Sequence, residues 1–249
     1  MQTHSKSGIT RKRFHPSLLL TNIKPCNAFQ ALKDANWATA MKQEYEALVN
    51  NHTWDLVSLP PARKVVGCKW LFRVKENPDG TVNKYMARLV TKGFNQIQGF
   101  DFHETFSPVI KLITIRIILT IALTNGWDLF HLDVNNAFLN ISLDETIYMT
   151  QPSRFEVTDK NLVYKLNKSI YGLKQTPRQW FDKLKTTLLQ LGFCLSKVDP
   201  SLFVYQHNHQ IVYILAYIDD IIITGTSLSI VQQISSSLNS TFSLKQLGD

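Results

Sequence analysis

The sequence predicts an α+β fold, because segments with helical periodicity are mixed with pairs of strands joined by tight turns. Helical spacing is clear from Trp37 to Leu48 and in residues 177–191, and another helix is expected to begin near Ser227. Strand pairs are predicted over 65–91 and 211–224, where alternating residues flank a polar turn. Short turns of this kind join antiparallel strands, so we expect mixed helices and antiparallel sheet.

Apolar side chains at helical spacing place the first long helix. Trp37, Met41, Tyr45 and Leu48 fall on one face, and Asn50–Asn51 are expected to end the helix. A last helix buries an equivalent stripe beyond Ser227, made of Val231, Ile234 and Leu238.

Residues 109–124 are apolar nearly all round, with Arg116, Thr120 and Thr124 as a narrow polar stripe. An all-round apolar helix is typical of a protein interior, so we expect this helix to be buried. Asn125–Gly126 should end it, and a strand is expected to follow over 127–134.

The helix over 177–191 has recognisable ends. Thr176 is predicted to be its N-cap and Pro177 its first residue, while Gly192 follows its last. Its buried stripe is expected to contain Trp180, Phe181, Leu184, Leu188 and Leu191.

The first strand pair predicts a ribbon with one apolar and one cationic side. Residues 77–80, Asn-Pro-Asp-Gly, suit a tight turn. Alternation places three apolar side chains on one side and a mainly cationic set on the other. The apolar set is Trp70, Phe72 and Val74; the other holds Lys69, Leu71, Arg73 and Lys75, with Lys84, Met86 and Arg88 from the return strand. An ordinary hairpin with one hydrated face is the alternative.

Charge is unevenly distributed along the 249 residues, whose net charge is +8. Basic residues concentrate in 1–24, 63–92 and 160–185, whereas from Asp199 onward four aspartates accompany a single lysine. This pattern suits a path for a polyanion beside an acidic metal site, although a solvated basic surface is the alternative. Cys26, Cys68 and Cys194 have no zinc-site spacing and give no support for a disulfide framework.

No signal peptide opens the sequence, and charged residues interrupt both long apolar runs, so we expect an intracellular chain with no membrane partner.

The segment IVYILAYIDDIIITG, residues 211–225, contains two adjacent acids between apolar runs. Two carboxylates in such surroundings repel each other unless a cation compensates, and Mg²⁺ prefers hard oxygen ligands. Alternation places Asp219 on the strand face that carries Tyr213, Leu215 and Tyr217, with Asp220 in the turn. The alternative is a hairpin whose turn uses aspartates for their turn propensity.

The segment HLDVNNAFLN, residues 131–140, supplies a third acid. Phe130, Leu132 and Val134 face one way along this strand, so Asp133 faces the other. Alone, Asp133 is better explained as a cap of the following turn. Together with Asp219 and Asp220 it predicts a centre for two Mg²⁺ ions, with Mn²⁺ as an alternative.

Seven blocks in order resemble the reverse transcriptase of copia-type LTR retrotransposons, from about Ala28 to Asp249. The blocks are WATAMKQEYEALVNNHTWDLVSLP (37–60), GCKWLFRVKENPDG (67–80), ARLVTKGFNQIQGFDFHETFSPV (87–109), LDVNNAFLN (132–140), YGLKQTPRQW (171–180), YIDD (217–220) and FSLKQLGD (242–249). The resemblance implies the fingers and palm of a right-hand polymerase over 28–249, ending before the primer grip, thumb and RNase H. Residues 1–27 resemble a basic, disordered linker.

The resemblance also implies individual roles. Asp133, Asp219 and Asp220 match the catalytic acids, with the Val134 carbonyl as an extra metal ligand. Other residues match contacts to the nucleotide, with Phe138 as a steric gate against the 2′-hydroxyl or, equally, a core residue. The nucleotide contacts are Lys75, Arg88, Phe138, Gln175, Tyr217 and Lys245, and the nucleic-acid contacts are Lys69, Arg73 and Lys84.

Implied partners are an RNA or DNA template with its primer, a deoxynucleoside triphosphate and the rest of a Pol polyprotein, in the cytoplasm or in virus-like particles. Met86, Asn135 and Ile141 depart from the family, which commonly has Lys, Lys and Gly there. A truncated relic that binds nucleic acid without polymerising is the alternative.

Overall fold

The computed structural model describes residues 24–247, so most of the predicted linker over 1–27 lies outside the described residues. The α-helices of the described part are Ala28–Ala31 (α1), Ala35–Asn50 (α2), Leu112–Asn125 (α3), Thr176–Gln190 (α4) and Leu228–Phe242 (α5). Its strands are Trp54–Ser58 (β1), Val65–Val66 (β2), Cys68–Glu76 (β3), Val82–Thr91 (β4), Leu129–Val134 (β5), Tyr148–Met149 (β6), Leu162–Leu166 (β7), Cys194–Leu195 (β8), Leu202–His207 (β9), Gln210–Tyr217 (β10), Asp220–Gly225 (β11) and Leu244–Leu247 (β12).

The strands form three groups. A six-stranded sheet has the order β12-β5-β11-β10-β9-β8, and every neighbouring pair in it is antiparallel. A four-stranded sheet has the order β1-β7-β6-β2, and β3 and β4 form a separate ribbon. The predicted combination of helices with mainly antiparallel strands is therefore confirmed. None of the helices in 24–247 is long and apolar enough to cross a membrane.

The β3–β4 ribbon has the two sides that the alternation predicts. Trp70 is buried and Phe72 and Val74 are partly buried, because Trp37 of α2 packs edge-on against Phe72 with ring centroids 5.4 Å apart. On the other side Arg73 lies opposite Met86, and Lys75 lies opposite Lys84. The ribbon begins at Cys68 rather than at Val65, since β2 pairs with β6 instead.

One face of the six-stranded sheet packs on α4 and α5. The apolar side chains of β5, β10 and β11 that point to this face are buried with Trp180, Leu184 and Leu188 of α4 and with Leu238 and Phe242 of α5. Trp180 is 1% exposed and meets the Phe242 ring edge-on at 5.1 Å. The opposite sheet face therefore carries the polar side chains of β5, β10 and β11.

The prediction of a buried helix over 109–124 is wrong. In α3 only Thr114, Ile118 and Ala122 are buried, while Leu123 is 76% exposed. The helix is apolar all round, but the described chain covers just one of its faces. Apolar composition shows which side chains could be buried, but the elements that pack against the helix determine which of them are buried.

The start of α4 differs by one residue from the prediction. Thr176 lies inside the helix instead of capping it, and its hydroxyl hydrogen-bonds the Ser169 hydroxyl and donates to the Ile170 carbonyl. Helix ends commonly shift by a residue, and here a tertiary contact takes the hydroxyl that a cap would use.

Candidate active site

Four side chains form a row across the polar face of the six-stranded sheet. Tyr217 pairs with Asp220 across β10 and β11, Asp220 pairs with Asp133 across β11 and β5, and Asp133 pairs with Lys245 across β5 and β12. Cross-strand partners point to the same sheet face, so antiparallel register alone brings two acids and a lysine together. We call Tyr217, Asp220, Asp133 and Lys245 the carboxylate row.

The structure places Asp219 in the turn and Asp220 on the strand, which is the reverse of the prediction from alternation. Because Tyr217 pairs directly with Asp220, the turn consists of Ile218 and Asp219, and Asp220 begins β11. Ile218 takes the left-handed conformation with φ 54°, which a two-residue hairpin turn requires at its first position. The Asp219 carbonyl accepts a 2.8 Å hydrogen bond from the Val134 amide, so the turn lies against the end of β5 beside Asp133.

Burial and like charge both act on Asp219. Burial raises its pKa above the ordinary value, Asp220 and Asp133 raise it further, and Arg88 opposes them. A raised carboxyl pKa means that the ionised form is less favourable in the folded chain than in the unfolded one. Below the pKa that Asp219 has in the unfolded chain, this shift leaves the free energy of unfolding unchanged. As pH rises through the higher pKa of the folded chain, the free energy of unfolding falls.

Asp219→Asn should consequently stabilise the cation-free chain at pH 8. We expect the Tm of the variant to exceed that of the wild type at this pH, because the amide carries no charge. The gain should shrink toward pH 4, where the wild-type carboxyl becomes protonated. Adding Mg²⁺ should raise Tm of the wild type only. Asp144→Asn, at an exposed carboxyl outside the row, is the control, and a lower Tm for Asp219→Asn would contradict the charge argument.

The residues fit a magnesium centre in chemistry and adjacency. Asp133, Asp219 and Asp220 provide hard oxygen donors whose mutual repulsion a divalent cation would relieve. Within the described residues no three His, Cys, Asp or Glu side chains are already gathered into a coordination cluster. The backbone thus places the three acids side by side, and their side-chain rotamers would have to turn toward a shared ion.

Two contacts hold this site in place, and only one of them follows from the sequence pattern. His131 Nε2 lies 2.8 Å from Asp220 Oδ1, and Trp180 Nε1 donates to the Ile218 carbonyl at 2.6 Å. The first contact follows from the strand alternation that places His131 and Asp133 on one face. The second contact links α4 to the turn from the packed face of the sheet, and only the three-dimensional packing shows it.

Arg88 lies beside the carboxylate row on the cationic side of the ribbon. Its guanidinium lies 4.5 Å from the centre of the Tyr171 ring, and its charge lowers the pKa of Asp219 against the effect of burial. Glu44 is a nearby acid that sequence reasoning missed. Burial raises its pKa, while its hydrogen bond from the Leu89 amide and the charge of Arg88 lower it.

Phe138 is 6% exposed and packs against Tyr171 with ring centroids 4.5 Å apart. It also lines a small cavity with Glu44, Leu89 and Asn136. The ring therefore belongs to the core, and it contacts Tyr171, the ring against which the Arg88 guanidinium lies. The steric-gate role stays a prediction.

Gln175 is buried instead of reaching open space. It is 1% exposed, its Nε2 donates to the Asp101 carbonyl at 2.9 Å, and its Oε1 accepts from Gln96 Nε2 at 3.0 Å. Gln96 also accepts from the Lys174 amide at 2.8 Å. A contact between Gln175 and a nucleotide remains a prediction. It requires the hydrogen bonds of the Gln175 side chain with Asp101 and Gln96 to break.

The other predicted cations are exposed on two elements. Lys69, Arg73, Lys75 and Lys84 project from the ribbon, whereas Lys245 stands on β12 opposite Asp133. Met86, where the family commonly has lysine, lies between Lys84 and Arg88 on the same side. The ribbon therefore presents a cationic surface, and Arg88 is the ribbon residue whose charge acts on Asp219.

Comparison with known proteins identifies the class to which this fold and site belong. Residues 51–249 match the family described as reverse transcriptase (RNA-dependent DNA polymerase), and the chain belongs to that family.

Its relatives are Pol polyproteins of plant copia-type transposons, as the resemblance predicted. The chain is 46% and 48% identical to the retrovirus-related Pol polyproteins from transposons RE2 and RE1 of Arabidopsis thaliana, over 100% and 98% of its length. It is 41% identical to that from transposon TNT 1-94 of Nicotiana tabacum over 84% of its length. It spans only 17% or 16% of these relatives.

Proposed function

We propose that this chain is the polymerase centre of a copia-type reverse transcriptase. In this proposal it adds a deoxynucleoside monophosphate to a primer 3′-hydroxyl on an RNA or DNA template. The observation that carries the proposal is the register of three strands. It sets Asp220 opposite Asp133 and Lys245 beside them, with Asp219 in the adjoining turn. The family supports the reaction, and the row supplies the groups that it needs.

In this proposal the six-stranded sheet is the palm and the β3–β4 ribbon belongs to the fingers. The palm holds the three acids on rigid strands, with α4 and α5 packed on the other face. The ribbon holds Arg88 beside Asp219, and Lys75 and Lys84 lie opposite each other farther along it. A triphosphate between the two elements would meet acids on one side and cations on the other.

Asp133, Asp219 and Asp220, with the Val134 carbonyl, are the residues that would hold two Mg²⁺ or Mn²⁺ ions. Bound divalent ions would lower the pKa of the primer hydroxyl and neutralise charge on the phosphates. The protein's own contribution is positioning and charge stabilisation, which suffice for phosphoryl transfer. Arg88 can donate two parallel hydrogen bonds to a phosphate, whereas Lys245 offers a point charge and a proton.

Binding through the ribbon can be tested without polymerase activity. We expect the affinity of the chain for a primer–template hybrid to fall steeply with salt, because bound phosphates release counterions. Arg73→Ala combined with Arg88→Ala should reduce the slope of log affinity against log salt by about 1.4–1.8, since each phosphate contact contributes roughly 0.7–0.9.

The control for this measurement is Lys42→Ala combined with Lys197→Ala. Both lysines are exposed and belong to neither ribbon strand, and the control removes the same two positive charges. An equal change of slope in both double variants would mean that net charge, and not the ribbon, determines binding.

A further inference from the structure

A second cationic site lies at the base of the ribbon, away from the carboxylate row. It is a cleft of about 650 Å³ beside β3, and no residue of the row lines it. Three parts of the chain form its walls: residues 26–29, the start of β3 with Lys92, and the loop 153–160. We call it the β3 cleft.

The charge in the β3 cleft is strongly one-sided. Lys69, Lys92, Arg154 and Lys160 line it, and Glu156 is the one acid among its lining residues. None of the four cations forms an ion pair within residues 24–247. Four like charges around one concave surface repel one another, and a bound polyanion would relieve that repulsion.

The Glu156 carboxylate forms no ion pair with the Arg154 guanidinium within residues 24–247. Its Oε2 accepts a 2.7 Å hydrogen bond from the Arg154 backbone amide. Trp70 Nε1 donates to the Ser153 carbonyl at 3.2 Å, which fastens the loop to β3. These two bonds fix the backbone that presents Arg154 to the cleft.

An aromatic ring accompanies the cations. Phe29 lines the cleft and is 56% exposed, and the Arg154 guanidinium and the Lys33 amino group each lie 4.8 Å from its ring centre. An exposed ring next to backbone-neutralising cations is the combination that binds single-stranded nucleic acid, because an unpaired base can stack on the ring. A duplex keeps its base faces covered and gains only the charge contacts.

We infer that the β3 cleft binds single-stranded nucleic acid, and we assign it to the part of the template not yet copied. The assignment to template rests on the proposed polymerase function. Lys69 connects the two sites, because it belongs to the cationic side of the ribbon and also lines the cleft. A strand leaving the row along that side would therefore pass from Arg73 to Lys69 and into the cleft.

The natural cysteines allow a direct test. Cys26 lines the cleft, whereas Cys194 is exposed on β8 and does not. Two variants would each keep one of them: Cys68→Ser with Cys194→Ser, and Cys26→Ser with Cys68→Ser.

Each variant is exposed to a single-stranded oligonucleotide of about 12 nucleotides, within the range of known single-strand sites. The oligonucleotide carries a mixed disulfide, so the cysteine thiolate displaces its leaving thiol and captures the strand. A small mixed disulfide without nucleic acid measures the intrinsic reactivity of each thiol.

After this normalisation, we expect Cys26 to capture the strand about tenfold faster than Cys194 at low salt, because binding raises the local concentration of the disulfide. The advantage should vanish at high salt and in Arg154→Gln with Lys160→Gln, but persist in Lys42→Gln with Lys197→Gln. A duplex carrying the same disulfide should be captured more slowly.

Equal normalised rates at Cys26 and Cys194 would overturn the inference, as would equal capture of single strand and duplex. Survival of the Cys26 advantage without Arg154 and Lys160 would also overturn it. Each of these results can occur in a chain whose Asp219-dependent DNA synthesis is intact, which separates failure of the cleft from failure of the proposed function. Selective capture by a chain with no synthesis would support the cleft alone.

Discussion

Trp180→Ala is expected to lower the free energy of unfolding by about 3–5 kcal/mol, the usual range for removing a buried tryptophan. Trp180 is 1% exposed, and its ring packs on Phe242 at the centre of the core beneath the six-stranded sheet. The change leaves a cavity there and also removes the hydrogen bond to the Ile218 carbonyl, which supports the turn that carries Asp219. The loss is measured by chemical denaturation. Unfolding is monitored by far-UV circular dichroism, which reports backbone structure and not the tryptophan itself.

Two further variants separate packing from the hydrogen bond. Trp180→Phe keeps most of the ring but cannot donate to Ile218, so we expect it to cost much less stability and still to weaken Mg²⁺ binding at the turn. Leu189→Ala, on the exposed side of the same helix, should change stability by roughly 0.5 kcal/mol or less. A Trp180→Ala loss as small as that of Leu189→Ala would contradict the core assignment.

Phe138→Val is expected to have the second large effect, on the choice of nucleotide. If the ring borders the sugar of the incoming nucleotide, removing it creates space for a 2′-hydroxyl. Discrimination against ribonucleotides should then fall by about a hundredfold, corresponding to about 2.7 kcal/mol. The ratio of kcat/KM for a ribonucleotide and its deoxynucleotide reports this effect, measured with the chain joined to a primer-grip and thumb segment from a copia-type relative.

Phe138→Tyr is the matched control, because it keeps the ring and should keep the discrimination. Phe138 is also part of the buried core, so the Val variant should lose some stability as well. A stability loss with an unchanged ribonucleotide ratio would assign Phe138 to the core alone.

Local patterns in the sequence predict much of this structure because they depend on neighbouring residues only. The alternation of Trp70, Phe72 and Val74 with Lys69, Arg73 and Lys75 defines the two sides of the ribbon wherever the ribbon is packed. The helical spacing of Trp37, Met41 and Leu48 acts in the same way for α2. The placement of Asp133 on the polar side of β5 follows from the same two-residue period.

The remaining features depend on partners that are distant in the sequence. Turn length decides whether Asp219 or Asp220 begins β11, and a shift of one residue exchanges the two positions. Gln175 is buried because Gln96 and Asp101, more than seventy residues earlier, hold its amide. The exposure of α3 has the same origin, since its own sequence does not determine which face the rest of the chain covers.

We propose that Asp133, Asp219 and Asp220 together form the catalytic centre of this chain. Mg²⁺-dependent primer extension on an RNA template tests this proposal, with the chain joined to a primer-grip and thumb segment taken from a copia-type relative. We expect extension that Asp219→Asn reduces by roughly a thousandfold or more, with hybrid binding retained. Undiminished extension by Asp219→Asn, or none by the folded, hybrid-binding wild type, would contradict the claim.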